Sequence, residues 1–218
     1  MSVINTQTKL SKMAATSVMN GVSSMPTSLS EIEQIYRKLE QGTDLLKLYL
    51  KRKPERRTFC VKLETRQIIW LRHVAGRNII EGAVDLREVK EVRIGKNSKA
   101  FERWPDETRK YQNNECFLVL YGSGFTLKAL SCVAKKDECE LWVKGIRHLV
   151  AESKNAPYPL LVERWLRKEY YSMENLRGVI TIKDLKAFLP KINLKLPTNR
   201  LKEYFQVGDK FSMHVKDK

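Results

Sequence analysis

From Asp44 to Leu130 the apolar residues recur at every second position in short runs, and from Lys135 to Glu152 they recur at every third or fourth. That single change of period restricts the fold more than any other feature of the chain. Leu46, Leu48 and Leu50 alternate with Lys47, Tyr49 and Lys51, and a second run, Thr58 to Leu63, places Phe59, Val61 and Leu63 on one face. A third covers Gln67 to Leu71 and includes Trp70. Shorter signals follow at Ala83, Val84, Leu86, Val89, Val92 and Ile94. Cys116–Tyr121 and Phe125–Leu130 flank Gly122-Ser123-Gly124, a hairpin signal. The stretches His73 to Asn78 and Gly95 to Glu115 read as loops, the second with room for one helical turn. Beyond Lys135, the residues Cys139, Trp142, Val143, Ile146, Leu149 and Val150 form a helical stripe, with Trp142 expected in the core. About seven short strands closed by one long helix predict an α+β barrel or sandwich with the helix packed over one end. A shorter helix precedes them, Ser28 to Gly42, with Ser28 and Glu31 as a capping box.

Asn155 to Pro159 is marked by two prolines, and the pattern after it is all-helical. The expected organisation is a disordered leader over 1–27, a β-rich domain with its preceding helix over 28–153, a helical region over 158–206 and an atypical tail over 207–218. A chain of 218 residues that is 42% apolar can bury a real core, which excludes wholesale disorder. No run approaches the ~18 apolar residues of a membrane span, and residues 1–29 hold no apolar signal segment. Cys60, Cys116, Cys132 and Cys139 form no CxxC pair, and the histidines at 73, 148 and 214 add no zinc spacing, so reduced, buried thiols are expected. No HExxH, GxSxG, phosphate-loop or dinucleotide fingerprint is present, and each histidine reads as a surface or helix residue rather than a general base. In the helical region, Gly178 followed by Ile180 fits positions six and eight of an EF-hand loop. Met173, Arg177 and Asp184 then fall at positions one, five and twelve, where calcium needs carboxylates and a bidentate Glu, so no metal is expected there.

The charge points to the partner. Lys and Arg number 41 against 25 Asp and Glu, a net +16, and the density peaks at Lys47, Lys51, Arg52, Lys53, Arg56 and Arg57 with only Glu55 among them. Alternation sends Lys47, Lys51 and Lys53 to one face of the first strand, and Arg56 and Arg57 open the returning strand. A hairpin gathers these charges around its turn, as a phosphate site requires. A solvated basic edge that blocks strand pairing is the competing explanation. No nucleic-acid-binding motif accompanies the charge, so nucleic acid is not expected as a partner.

A basic strand pair, further strands and a closing helix with one central Trp look like a pleckstrin homology (PH) domain. The strings Lys38-Leu39-Glu40-Gln41-Gly42-Thr43, Arg57-Thr58-Phe59-Cys60-Val61-Lys62-Leu63-Glu64-Thr65-Arg66-Gln67-Ile68, Glu81-Gly82-Ala83-Val84-Asp85-Leu86-Arg87-Glu88-Val89-Lys90-Glu91 and Glu163-Arg164-Trp165-Leu166-Arg167-Lys168 closely resemble the N-terminal region of phospholipase C-gamma. The resemblance covers about residues 28–206. It implies a seven-stranded PH barrel capped by a helix, then EF-hand-like helices. It implies phosphoinositide binding through Lys47, Lys51, Lys53, Arg56 and Arg57, with Thr58 standing where tight binders carry Arg. It implies cytoplasmic residence with recruitment to anionic phosphoinositide membranes, and the remaining phospholipase core as a protein partner. Enzymes of this family cleave phosphatidylinositol bisphosphate with calcium in a downstream barrel. The chain is expected to be truncated before that barrel, to need no cofactor and to be non-catalytic. A protein-docking module with incidental lipid affinity is the alternative.

Overall fold

The computed structural model describes residues 30–173 and 180–204. Helix α1, Glu31–Gln41, starts two residues later than the sequence predicts: Ser30 and Glu33, rather than Ser28 and Glu31, form the capping box. The helix ends at Gly42, whose φ of 90° takes the chain into β1 (Thr43–Leu48). β2 (Glu55–Lys62), β3 (Gln67–Val74), β4 (Arg77–Asp85), β5 (Val89–Ile94), β6 (Cys116–Tyr121) and β7 (Lys128–Val133) complete one antiparallel sheet in the order β4-β3-β2-β1-β7-β6-β5. The α+β arrangement of seven strands closed by a helix is the one the sequence predicts. Helix α4, Lys136–Lys154, packs on β5, β6 and the 3-10 turn Leu86–Glu88 that joins the sheet's two edge strands. It also packs on α1. Trp142 is 1% exposed, edge-on to Phe59 and stacked on Phe117 at 6.5 Å between ring centroids. The core is therefore the inner face of the sheet roofed by α4.

Four local expectations are corrected. The His73–Asn78 stretch is not a loop, because Ala75 and Gly76 both take positive φ (50° and 75°) and close a two-residue turn, so β3 and β4 pair out to Val74↔Arg77. β7 begins at Lys128, not Phe125: pairing Tyr121↔Lys128 seats Leu130 and Cys132 in the core and leaves 122–127 as the loop. The polar stretch after Gly95 folds into α2 (Lys99–Arg103), α3 (Pro105–Thr108) and a 3-10 turn, Asn113–Glu115. Phe101 and Ala100 of α2 cover the outer face of β1, forming a second small core with Leu48, Cys116 and Val133. β1 is thus covered on both faces, which overturns the simple apolar-in, charged-out reading of its alternation. Leu45 and Lys47 face the main core, Leu46 and Leu48 face α2, and Leu50 lies beyond the strand and is 56% exposed.

After Pro157, α5 (Tyr158–Met173) lies against the barrel through a polar seam. Glu152 accepts from Arg66 (2.7 Å) and Arg164 (2.6 Å), Lys168 pairs with Asp85, and Glu64 accepts from Tyr171 (2.7 Å) and Arg167 (3.2 Å). α6 (Ile182–Phe188) returns so that Phe188 meets Trp165 at 5.8 Å. The EF-like positions 175, 177 and 178, the leader and the tail lie outside the described residues. Asp184 is described: its Oδ2 accepts from the Thr181 backbone N–H (2.9 Å) and hydroxyl (2.6 Å), capping α6.

Candidate functional site

Topology sends the β1–β2, β3–β4 and β6–β7 connections to the same end of the barrel, opposite the entry of α4. The β1–β2 loop, 49–54, holds the basic run. Trp104 pins it by donating its indole N–H to the Tyr49 carbonyl at 2.6 Å.

The five cations named from the sequence do not all converge. Lys47 and Arg57 point inward on the core faces of their strands, because Arg57 continues the Phe59–Val61 series and pairs in register with Leu45. Lys51 and Lys53 are exposed in the loop. Arg56 faces the other side of the sheet, opposite Leu46, along a separate groove with Tyr111 and Glu115. A strand's alternation makes this split unavoidable for two consecutive residues.

Lys47 is 9% exposed, with its ammonium 4.2 Å from the Tyr49 ring centre and 4.0 Å from that of Trp70. Burial pushes its pKa down to about 8, against an upward pull from Glu81. Trp70 can lie there because β4 carries Gly82: a Cβ at that position would stand 2.2 Å from Trp70 Cζ2. Arg57 donates Nε to Glu81 at 2.5 Å, Nη1 to the Arg56 carbonyl at 2.7 Å, and Nη2 to Glu55. Burial works against its charge, yet the bonds to Glu81 and Glu55 hold its pKa above the ordinary arginine value. Arg52 lies over the Tyr49 ring at 3.8 Å and also pairs with Glu81. The Tyr49 hydroxyl donates to Glu81 at 3.2 Å. Burial raises the Glu81 carboxyl, but the hydrogen bonds from Arg57 and Arg52 outweigh it and hold its pKa below the usual range.

Glu81 had no signal in the sequence as a site residue. It becomes one through a β-bulge: Trp70 pairs with Gly82 and Leu71 with Ile80, so Glu81 is the extra residue and its carboxylate is turned to the barrel mouth. Beside this cluster opens a concavity of about 800 Å³. Lys47, Lys51, Arg52, Lys99 and Lys128 line it together with Tyr49, Trp70, Leu50 and Leu127, and no carboxylate does. Lys99 and Lys128 come from α2 and the start of β7 and lay outside the basic run; the packing of α2 on β1 brings in the first and the pairing of β1 with β7 the second.

The other candidates are placed quietly. His73 Nδ1 lies 3.1 Å from Asn78 Oδ1, and His148 Nδ1 meets the Tyr36 hydroxyl. His214 lies outside the described residues. Burial raises the thiols of Cys116 and Cys139 to about 11. Among the described residues no group of three His, Cys, Asp or Glu side chains gathers as a metal site, and no helix is long and apolar enough to cross a membrane.

The family model PLCG EF-hand motif 1 matches residues 154–217. Over 184 residues, 82% of this chain, the sequence is 41% identical to human 1-phosphatidylinositol 4,5-bisphosphate phosphodiesterase gamma-2, and it covers 14% of that protein. It is 26% identical over 184 residues to the mouse eta-2 phosphodiesterase, covering 82% of this chain and 12% of the relative. The chain therefore spans about one seventh or less of the curated relatives it matches. The crystal structure of L. pealei PLC21 superposes with a TM-score of 0.52 at 16% identity, over 70% of this chain and 21% of that one, which establishes the common fold.

Proposed function

The chain belongs to the phospholipase C-gamma family, and from that premise we propose that its barrel is the phosphoinositide- and membrane-binding head of such an enzyme and that its polar seam with α5 is a scaffolding contact. The relatives are named for acting on phosphatidylinositol 4,5-bisphosphate. In this reading the head is non-catalytic and cofactor-free. It delivers the remaining phospholipase core, as partner, to that lipid, and the chain is cytoplasmic with recruitment to the plasma membrane. Neither nucleic acid nor calcium at 173–184 is assigned a role.

One observation carries the reading: five cations line a concavity at the loop end of the barrel, and three of them, Lys51, Lys99 and Lys128, make no ion pair among the described residues. Gathering like charges is unfavourable unless an anion answers them, and each Lys or Arg at an anionic surface contributes ~1 kcal/mol. Lys47, Lys51, Arg52, Lys99 and Lys128 would meet the phosphates, with Lys53 on the rim. Arg56 would supply only long-range attraction, and Arg57 positions the site from behind.

The test is flotation of the chain with phosphatidylcholine vesicles doped with phosphatidylinositol 4,5-bisphosphate, compared with phosphatidylserine vesicles of equal charge. Preferential flotation with the first is expected. No flotation with either would replace this reading with the protein-docking one.

A further inference from the structure

At the barrel mouth three donors converge on one carboxylate. Arg57 Nε, an Arg52 guanidinium nitrogen and the Tyr49 hydroxyl all bond Glu81. The Arg57 side chain is 7% exposed and Glu81 20%, so this is a largely desolvated pair and not a surface bridge. Lys51, Lys99 and Lys128, in the adjoining concavity, make no ion pair among the described residues. A fork of guanidinium donors around a carboxylate has the geometry that also receives a phosphate oxygen pair. The carboxylate is placed there by an added residue in β4, which a plain ladder would have pointed elsewhere.

We propose that Glu81 is an internal anion held by Arg52, Arg57 and Tyr49 in place of a ligand phosphate, and that it sets the affinity of the barrel mouth for inositol polyphosphate headgroups. The inference rests on the phosphoinositide reading above. A ligand reaching Arg52 must compete with Glu81, so the wild-type mouth binds with the guanidinium of its one lining arginine already satisfied. Neutralising Glu81 leaves Arg57 with Glu55 as its one carboxylate partner among the described residues, and leaves Arg52 on the Tyr49 ring without its carboxylate. A partly desolvated cation that has lost its counter-charge is costly, and a phosphate reaching Arg52 relieves that cost. The affinity therefore rises although a stabilising pair is lost.

Glu81→Gln keeps the side chain's shape and removes its charge. Titrate wild type and variant calorimetrically with inositol 1,4,5-trisphosphate, and by flotation with phosphatidylinositol 4,5-bisphosphate vesicles and with phosphatidylserine vesicles. Glu81→Gln is expected to bind the trisphosphate and the bisphosphate vesicles roughly tenfold tighter, with little change on phosphatidylserine. Adding Arg52→Gln to it should cancel most of the gain. Should Glu81→Gln fold poorly, Glu55→Gln remains informative: Glu55 is 43% exposed, and freeing one Arg57 nitrogen should give a smaller gain in the same direction. Wild type that floats with bisphosphate vesicles while neither variant binds more tightly overturns the role of Glu81 and leaves the lipid reading intact. An equal gain on phosphatidylserine also overturns it, since added net charge then explains everything. If wild type and both variants ignore the trisphosphate and all vesicles, both conclusions fall together.

Discussion

Lys47 combines two demands that usually exclude each other. It is buried on the core face of β1, yet the proposed function needs it charged. Its folded pKa of about 8 against an ordinary 10.5 sets the sign. Below pH 8 both folded and unfolded chains hold the proton, and the burial penalty is fully present. Between pH 8 and 10.5 the folded chain releases the proton first, so stability rises with pH through that window. At ~1.4 kcal/mol per pKa unit the net penalty is on the order of 3 kcal/mol, with the opposing pull of Glu81 already included. Lys47→Met is therefore expected to melt higher than wild type at pH 7, with the advantage shrinking toward pH 10. Wild-type vesicle affinity should fall between pH 7 and 9, where ordinary lysines stay charged, and the Met variant should lack that step. A flat wild-type profile would contradict the assignment. At this scale the sequence exposed Lys47 and the loop lysines, because a charge cluster survives without knowledge of pairing. It could not separate Arg56 from Arg57, which lie on opposite faces, nor find Glu81, whose aim depends on one extra residue opposite Trp70 and Leu71. Reversing Arg56 and Arg57 together is accordingly no clean test of lipid binding, since the Arg57 half breaks the Glu81 and Glu55 bonds.

Among the elements, the long amphipathic helices were legible, the short α2 and α3 were not, and the hairpins only partly so. α4 declared itself through a stripe of six apolar residues, and its bounds moved by only one or two positions. The β6–β7 turn slipped by three residues because Phe125 and Leu127 look like strand residues but project into solvent, 108% and 59% exposed. The β3–β4 turn was hidden because Ala75, not a usual left-handed residue, takes positive φ there. One helix–helix contact gives a test of packing against propensity. A Cβ on Gly145 of α4 would lie 2.5 Å from Leu39 Cδ1 and 2.8 Å from Ile35 Cγ2 of α1. Ala in place of Gly inside a helix gains ~1 kcal/mol of propensity, while overpacking a tight core costs ~1–3 kcal/mol. Leu39 is wholly buried and cannot step aside. Gly145→Ala is thus expected to lower urea stability by about 1 kcal/mol, and Leu39→Val in the same chain should recover part of it. An increase in stability would mean that α1 is looser on α4 than the packing indicates.

For the whole molecule, the seven-strand count, the closing helix and the helical region after Pro157 were all readable from periodicity, because burial enforces period at every position. What joins them was not. The seam of Glu64, Asp85 and Glu152 with Arg167, Lys168 and Arg164 uses charged residues that carry no periodic signal, and it ties α5 to the barrel. The concavity has the same character: Lys51, Lys99 and Lys128 are far apart in the chain and meet only through the sheet order. The central claim is that this meeting place, and not net charge alone, binds the phosphoinositide surface. Its most direct test compares two double reversals of equal charge, Lys51→Glu with Lys128→Glu at the concavity, and Lys183→Glu with Lys186→Glu on the exposed side of α6, all four exposed in the fold. Measured as flotation with phosphatidylinositol 4,5-bisphosphate vesicles, the first pair should lose more than tenfold in affinity, given ~1 kcal/mol for each cation removed and further repulsion from each anion added, and the second pair should lose little. Equal losses from the two pairs, or none from the first, would contradict the claim.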